Sequence, residues 1–199
     1  MTYRRKDVHY RRARAAGYRA RSAYKLAELD ARFHLLRAGD RVVDLGAWPG
    51  GWLQIVVERV GTGGRVVGVD VVPVERLPAA NVELVTGDVR DPATVAEIRT
   101  RLGGPADVVL SDLSPKLTGV RDTDDARQAE LVDAVVGMMP SVLRAGGRLT
   151  MKVFMGTGYE TTLSRLRAAF GDVRTTRPAA TRHGSAELYA VATGYRGNP

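Results

Sequence analysis

The sequence predicts one α/β domain built on a mostly parallel, seven-stranded sheet with helices on both faces. Three observations predict it. Short β-branched runs alternate with helical segments from residue 41 onward, five consecutive runs end on an acid or an amine, and no internal repeat, low-complexity tract or interdomain linker interrupts them. In open parallel sheets, ligands bind beyond the carboxyl ends of the strands where the strand order reverses. The array Asp44-Leu-Gly46, Asp70, Asp88, Asp112 and Lys152 therefore outlines a candidate site. One strand-end acid alone is more often a helix cap, but five such ends in succession exceed what capping explains.

The elements follow in order. Leu26, Leu29, Phe33 and Leu36 recur at helical spacing, and Gly39-Asp40 is expected to close that helix. A first strand at 41–45 leads into the loop Gly46-Ala-Trp-Pro-Gly-Gly51 and a helix through Val60. The turn Gly61-Thr-Gly-Gly64 precedes a second strand at 65–69 that ends in Asp70. A third strand spans 82–85 and ends in Gly87-Asp88, a helix runs from Pro92 to Leu102, and a fourth strand spans 107–110 before Ser111-Asp112. An amphipathic segment over roughly 124–143 leads to Gly146-Gly147 and a fifth strand at 148–154. A helix around 161–170, a short strand near Val173 and a last strand at 188–192 complete the chain.

Composition narrows the class. The chain has 199 residues, 44% hydrophobic, a net charge of +8 and no cysteine. A folded chain of this length buries about 70% of the surface its unfolded form exposes, so it needs no disulfide or structural metal. The histidines His9, His34 and His183 are scattered, which leaves no protein-built metal site, and no apolar run is long enough to span a bilayer. The expected protein is soluble, cytoplasmic and monomeric. Residues 1–25 hold nine of the 30 Lys and Arg and one of the 22 acids, Asp7, which leaves 21 of each sign in the remainder. We therefore divide the chain into a basic arm at 1–21 and a single domain at 22–199. Arg11, Arg12, Arg14, Arg19, Arg21 and Lys25 are its candidate RNA-binding residues, interleaved with tyrosines that can stack on bases. The plain alternative is a solvated basic helix face. Only four basic residues are lysines, Lys6, Lys25, Lys116 and Lys152, and lysine alone can give up its proton for catalysis.

The glycine loop lacks the Gly-x-Gly-x-x-Gly spacing that receives a dinucleotide pyrophosphate, which disfavours NAD. A strand-end acid such as Asp70 suits a ribose diol. An adenosine cofactor without pyrophosphate fits better, and S-adenosylmethionine is the natural candidate. Gly46, Gly50 and Gly51 would then let the backbone come close to its amino-acid tail, and Asp44 is a further candidate cofactor-binding residue. Trp48 and Trp52 either wall the pocket or pack in the core.

The motifs Arg19-Ala-Arg-Ser-Ala-Tyr-Lys-Leu26, Asp44-Leu-Gly-Ala-Trp-Pro-Gly-Gly-Trp-Leu-Gln54, Gly87-Asp-Val-Arg-Asp91, Ser111-Asp-Leu-Ser-Pro115 and Lys152-Val-Phe-Met-Gly-Thr-Gly158 span nearly the whole chain. In these the chain resembles the FtsJ/RrmJ family of RNA ribose 2′-O-methyltransferases. The resemblance implies a Rossmann-like, S-adenosylmethionine-dependent methyltransferase fold. It also implies a Lys-Asp-Lys-Glu catalytic set at Lys25, Asp112, Lys152 and Glu187, and cofactor contacts at Gly50, Trp52, Asp70, Asp88 and Asp112. The chain departs from the family at Trp48, where a small residue is usual, and at Lys116, where asparagine is frequent. In this reading Lys152 acts as general base, which burial and a second ammonium favour and neighbouring acids oppose, or as a cation beside the developing alkoxide. The acceptor implied by the resemblance is a uridine of large-subunit ribosomal RNA. Transfer RNA, a non-catalytic ribosome-assembly role and a small-molecule acceptor are the alternatives.

Overall fold

A computed structural model of the chain describes residues 13, 15–115, 118–156, 158–181 and 184–197. Arg11, Arg12, Arg14 and Lys116 lie outside the described residues. The elements run α1 (Ala23–Phe33), β1 (Arg41–Leu45), α2 (Gly51–Val60), β2 (Arg65–Asp70), β3 (Val82–Thr86), α3 (Pro92–Leu102), β4 (Ala106–Ser111), α4 (Arg121–Val142), β5 (Leu143–Phe154), α5 (Tyr159–Ala169), β6 (Phe170–Thr176) and β7 (Glu187–Tyr195). The strands form one sheet of order β3-β2-β1-β4-β5-β7-β6, parallel throughout except for β7, which runs antiparallel to both neighbours.

The period-two alternation of strand side chains sorts the apolar residues into two cores. Val43, Leu45, Val67, Val69, Val109, Leu149, Met151 and Val153 face α3, α4 and α5. Val42, Val66, Val108, Leu110, Tyr189 and Val191 face α1 and α2, whose Leu26, Leu29, Leu53, Ile55 and Val56 close the other side. Valine-rich strands buried on both faces are what a parallel sheet requires. Among the described residues no helix is long and apolar enough to cross a membrane.

Three boundaries differ from expectation. Helix α1 stops at Phe33, not at Gly39, because His34 takes a left-handed conformation (φ 52) and donates its N–H to the Asp30 carbonyl at 2.8 Å. Asp30 then accepts the Leu36 N–H at 2.9 Å, so Leu35 and Leu36 enter the core from a loop. Helix α4 begins at Arg121, but its buried residues Val132, Val135, Met138, Met139 and Val142 occupy only its second half. Strand β5 starts at Leu143, pairs with Ala106, bulges out over residues 144–147 and resumes its pairing at Arg148. Gly147 permits that detour, since a Cβ there would lie 2.6 Å from the Leu143 side chain.

Candidate active site

The sheet order reverses between β1 and β4, and two loops of the chain cross closely there. A Cβ on Gly46 (φ 81) would lie 3.0 Å from the Leu113 nitrogen and 3.1 Å from the Asp112 carbonyl carbon, so only glycine lets the two loops close on each other. Beside this crossing a cavity of about 590 Å³ opens, walled by Gly46, Trp48, Asp70, Asp88, Arg90 and Asp112 among others. A larger cavity, about 820 Å³, lies at the opposite ends of β1 to β3 among turn glycines, and none of the predicted site residues reaches it. Volume alone does not identify the site.

Each acid on the smaller cavity is set differently. Asp70 accepts the Val72 N–H on one oxygen and the Trp48 N–H on the other, both at 2.9 Å. A carboxylate oxygen has two acceptor positions, so Asp70 is oriented yet keeps capacity for a diol. Asp88 holds a bidentate contact with Arg90, at 2.6 Å to Nη2 and 3.0 Å to Nε, and that hydrogen bonding keeps its carboxyl below the usual range. Arg90 reaches on to Glu130 at 3.3 Å.

Asp112 joins the cavity to a charged cluster on the α1/α2 face of the sheet. Its Oδ1 forms an ion pair with Lys152 Nζ at 3.0 Å and accepts from the Tyr189 hydroxyl at 2.5 Å, while its carbonyl accepts from the same Nζ at 2.8 Å. Lys25 Nζ donates to Glu187 at 2.5 Å and to the Tyr189 hydroxyl at 3.4 Å. The register pairs Lys152 with Tyr189 across β5 and β7, and the two-residue period puts Glu187 on the same face as Tyr189. The four predicted residues thus meet, two cations against two anions, although α1, the β4 end, β5 and β7 are far apart in sequence. Tyr189 is the residue that sequence reasoning passed over. Its place two positions after Glu187 in a strand was the available signal. Burial first, then Asp112 and Glu187, raise its phenol well above the ordinary value, so it stays a donor.

Several expected contacts are placed elsewhere. Asp44 is fully buried beneath the loop and does not line the cavity; among the described residues neither of its oxygens has a hydrogen-bond partner. Gly50 and Gly51 make room for the N-terminal segment, since a Cβ on Gly50 would lie 2.9 Å from Arg19 Nη1 and one on Gly51 3.0 Å from the Ala20 Cβ. Trp52 is 3% exposed, its indole donates to the Ser22 carbonyl at 2.8 Å and packs on Tyr189, and the residue does not line the cavity. Trp48 by contrast is 57% exposed at the cavity mouth. Lys25 belongs to the buried cluster, not to the basic surface. Arg19 is spent on backbone carbonyls. Arg21 retains an interaction within the fold.

The residues present suit S-adenosylmethionine, a cation with a ribose diol and a carboxylate tail. Four acids, Asp70, Asp88, Asp112 and Glu130, line the cavity, Asp70 has acceptor capacity for the diol, and α2 follows Gly50 with no side chain capping its first N–H groups. Sheet order and site together define the class: a Rossmann-like, S-adenosylmethionine-dependent methyltransferase. Comparison with known proteins narrows this. The family model for FtsJ-like methyltransferases matches residues 18–195. Ribosomal RNA large subunit methyltransferase E of Methanothermobacter thermautotrophicus is 41% identical over 98% of this chain and 92% of its own length. The protein of that name from Paramagnetospirillum magneticum is 45% identical, over 96% of this chain and 80% of its own length. A crystal structure described as a ribosomal RNA methyltransferase from Plasmodium falciparum superposes with a TM-score of 0.80 at 26% identity, covering 91% of this chain and all of that one. The chain belongs to the FtsJ-like methyltransferase family.

Proposed function

We propose that the chain methylates a ribose 2′-hydroxyl of large-subunit ribosomal RNA at a uridine, with Lys152 as general base. The observation that carries this reading is the double hold of Asp112 on Lys152 Nζ, through Oδ1 and carbonyl, by an acid that also walls the cofactor cavity. S-adenosylmethionine supplies the methyl group as an electrophilic sulfonium. Asp70, Asp88 and Asp112 would hold it, with the main chain of Gly46, Gly50 and Trp52 beside it. The rest is done by the chain's own side chains. A 2′-hydroxyl is a poor nucleophile and must be placed in line and relieved of its proton as the bond forms. Among the described residues Asp112 is the one partner of Nζ, through a hydrogen bond at its carbonyl and an ion pair at its carboxylate. In this reading the ammonium of that ion pair first gives up a proton to solvent, and the neutral amine then takes the proton of the 2′-hydroxyl. Lys25 and Glu187 hold Tyr189 in place, and the Tyr189 hydroxyl fixes the Asp112 carboxylate. The names of the relatives favour ribosomal RNA, and the basic arm at 1–21 suits a polyanionic partner.

The test is transfer of labelled methyl to ribosomal subunits, naked ribosomal RNA and transfer RNA in parallel, with Lys152→Ala as control and mapping of the labelled nucleotide. Label on large-subunit RNA at a 2′-oxygen, lost in Lys152→Ala with cofactor binding intact, is the expected result. Label on transfer RNA alone would change the substrate, and substantial activity in Lys152→Ala would remove Lys152 from the chemistry. A base also makes kcat rise with pH to a plateau, whereas an essential lysine cation makes it fall.

A further inference from the structure

Two irregular segments form one side of the cofactor cavity: the glycine loop, which contributes Gly46 and Trp48, and the β2–β3 connection, which follows Asp70 and contributes Val71. Inside the cavity Asp70 joins them, bonding Trp48 on one loop and Val72 on the other. Outside it, Arg19 joins them again. Its Nη1 donates to the Glu75 carbonyl at 2.6 Å and more weakly to the Pro49 carbonyl at 3.4 Å, and its Nη2 donates to the Arg76 carbonyl at 2.7 Å. The side chain is 21% exposed, and the nearby Glu75 carboxylate, at 3.9 Å, is 89% exposed and contributes little. The backbone of the segment is clipped to α2 as well: Gln54 accepts the Arg19 N–H at 2.8 Å and donates to the Gly17 carbonyl at 2.9 Å. Gly50 leaves the space the guanidinium occupies.

We infer that Arg19 is a positioning residue for the cofactor cavity, setting affinity for the methyl donor by fixing the separation of the two loops. An arginine presents its donors as a rigid planar fork, so carbonyls from two segments are held at a set spacing; lysine offers a single nitrogen and cannot reproduce this. Without the fork, the link between Trp48 and the β2–β3 connection rests on Asp70. The inference depends on the reading of Asp70 as a cofactor contact.

The experiment is calorimetric titration of the full chain with S-adenosylhomocysteine and S-adenosylmethionine, for wild type, Arg19→Ala, Arg19→Lys, Gln54→Ala and Asp70→Ala. It is joined by methyl-transfer kinetics and by RNA binding across salt concentrations. Arg19→Ala is expected to weaken cofactor binding roughly tenfold, Arg19→Lys nearly as much, and Gln54→Ala by less, with kcat at saturating cofactor within about twofold of wild type. The salt slope of RNA binding should not change. Normal cofactor affinity in Arg19→Ala with weakened affinity in Asp70→Ala would overturn the brace and leave the cavity assignment standing. Normal affinity in Asp70→Ala would overturn that assignment, and the inference with it. Normal cofactor affinity with a shallower salt slope would make Arg19 a phosphate contact instead. Should Arg19→Ala not fold, Gln54→Ala decides, since unchanged cofactor affinity there overturns the inference.

Discussion

Asp44 and Tyr189 show how single residues carry the site's electrostatics. Burial first, then the charges of Asp112 and Asp70, push the Asp44 carboxyl well above its ordinary value. The folded chain therefore holds this proton more tightly than the unfolded chain does. Its stabilising effect is complete below the ordinary carboxyl value near 4 and is lost as pH rises through the folded value. An Asp44→Asn variant has no such proton, so its stability relative to wild type should rise across that window. Urea midpoints from about pH 4.5 to 8 measure this, and parallel curves for the two proteins would refute it. Tyr189→Phe keeps the ring against Trp52 but deletes the hydroxyl between Asp112 and Lys25. It should lower kcat about ten- to a hundredfold while leaving KM for the cofactor near wild type. A rise in that KM with kcat intact would assign the hydroxyl to cofactor binding instead.

At the scale of elements, a buried ion pair besides that of Lys25 and Glu187 ties the sheet to its N-terminal layer. Arg148, where β5 resumes its pairing, makes a bidentate contact with Asp40 at 2.9 and 3.0 Å and donates to the Leu35 carbonyl at 2.6 Å, which locks the loop after α1 onto the sheet. Arg148→Met leaves Asp40 buried without its partner and should cost about 3 kcal/mol in chemical unfolding. A loss below about 1 kcal/mol would mean the pair behaves as an exposed one. Elements whose ends are chemically marked were legible in the sequence. Helix α3 is an example: Asp91 caps it by accepting the Ala93 N–H at 2.9 Å, Pro92 starts it, and Gly103 (φ 68) ends it in the left-handed region. The start of β5 and the end of α1 were not. The first depends on a partner distant in sequence, Ala106 for Leu143, and the second on a left-handed turn at His34, a residue type that does not announce one.

For the whole molecule, the strand ends were enough to bring Asp112 and Lys152 to one end of the sheet, whereas Lys25 and Glu187 were legible only through the family motifs. Composition could not say which arginines of the N-terminal segment face outward. Arg19 looks like its neighbours in sequence, yet the fold spends it on carbonyls. On the proposed reading of the basic arm, RNA binding and cofactor binding should be separable by truncation. Residues 1–12 carry five Lys and Arg, at 4, 5, 6, 11 and 12. Every phosphate a cation ceases to neutralise lowers the slope of log K against log salt by about 0.7 to 0.9, so deleting this segment should flatten that slope by about 3.5 to 4.5 at most. Cofactor affinity should not change, because Arg19 and its clip to Gln54 remain. Deleting residues 1–21 removes Arg19 as well, and should weaken cofactor binding in addition to RNA binding. If the shorter deletion already weakens the cofactor, the arm acts on the cavity directly. If the longer one leaves cofactor affinity intact, the two loops hold their spacing without Arg19.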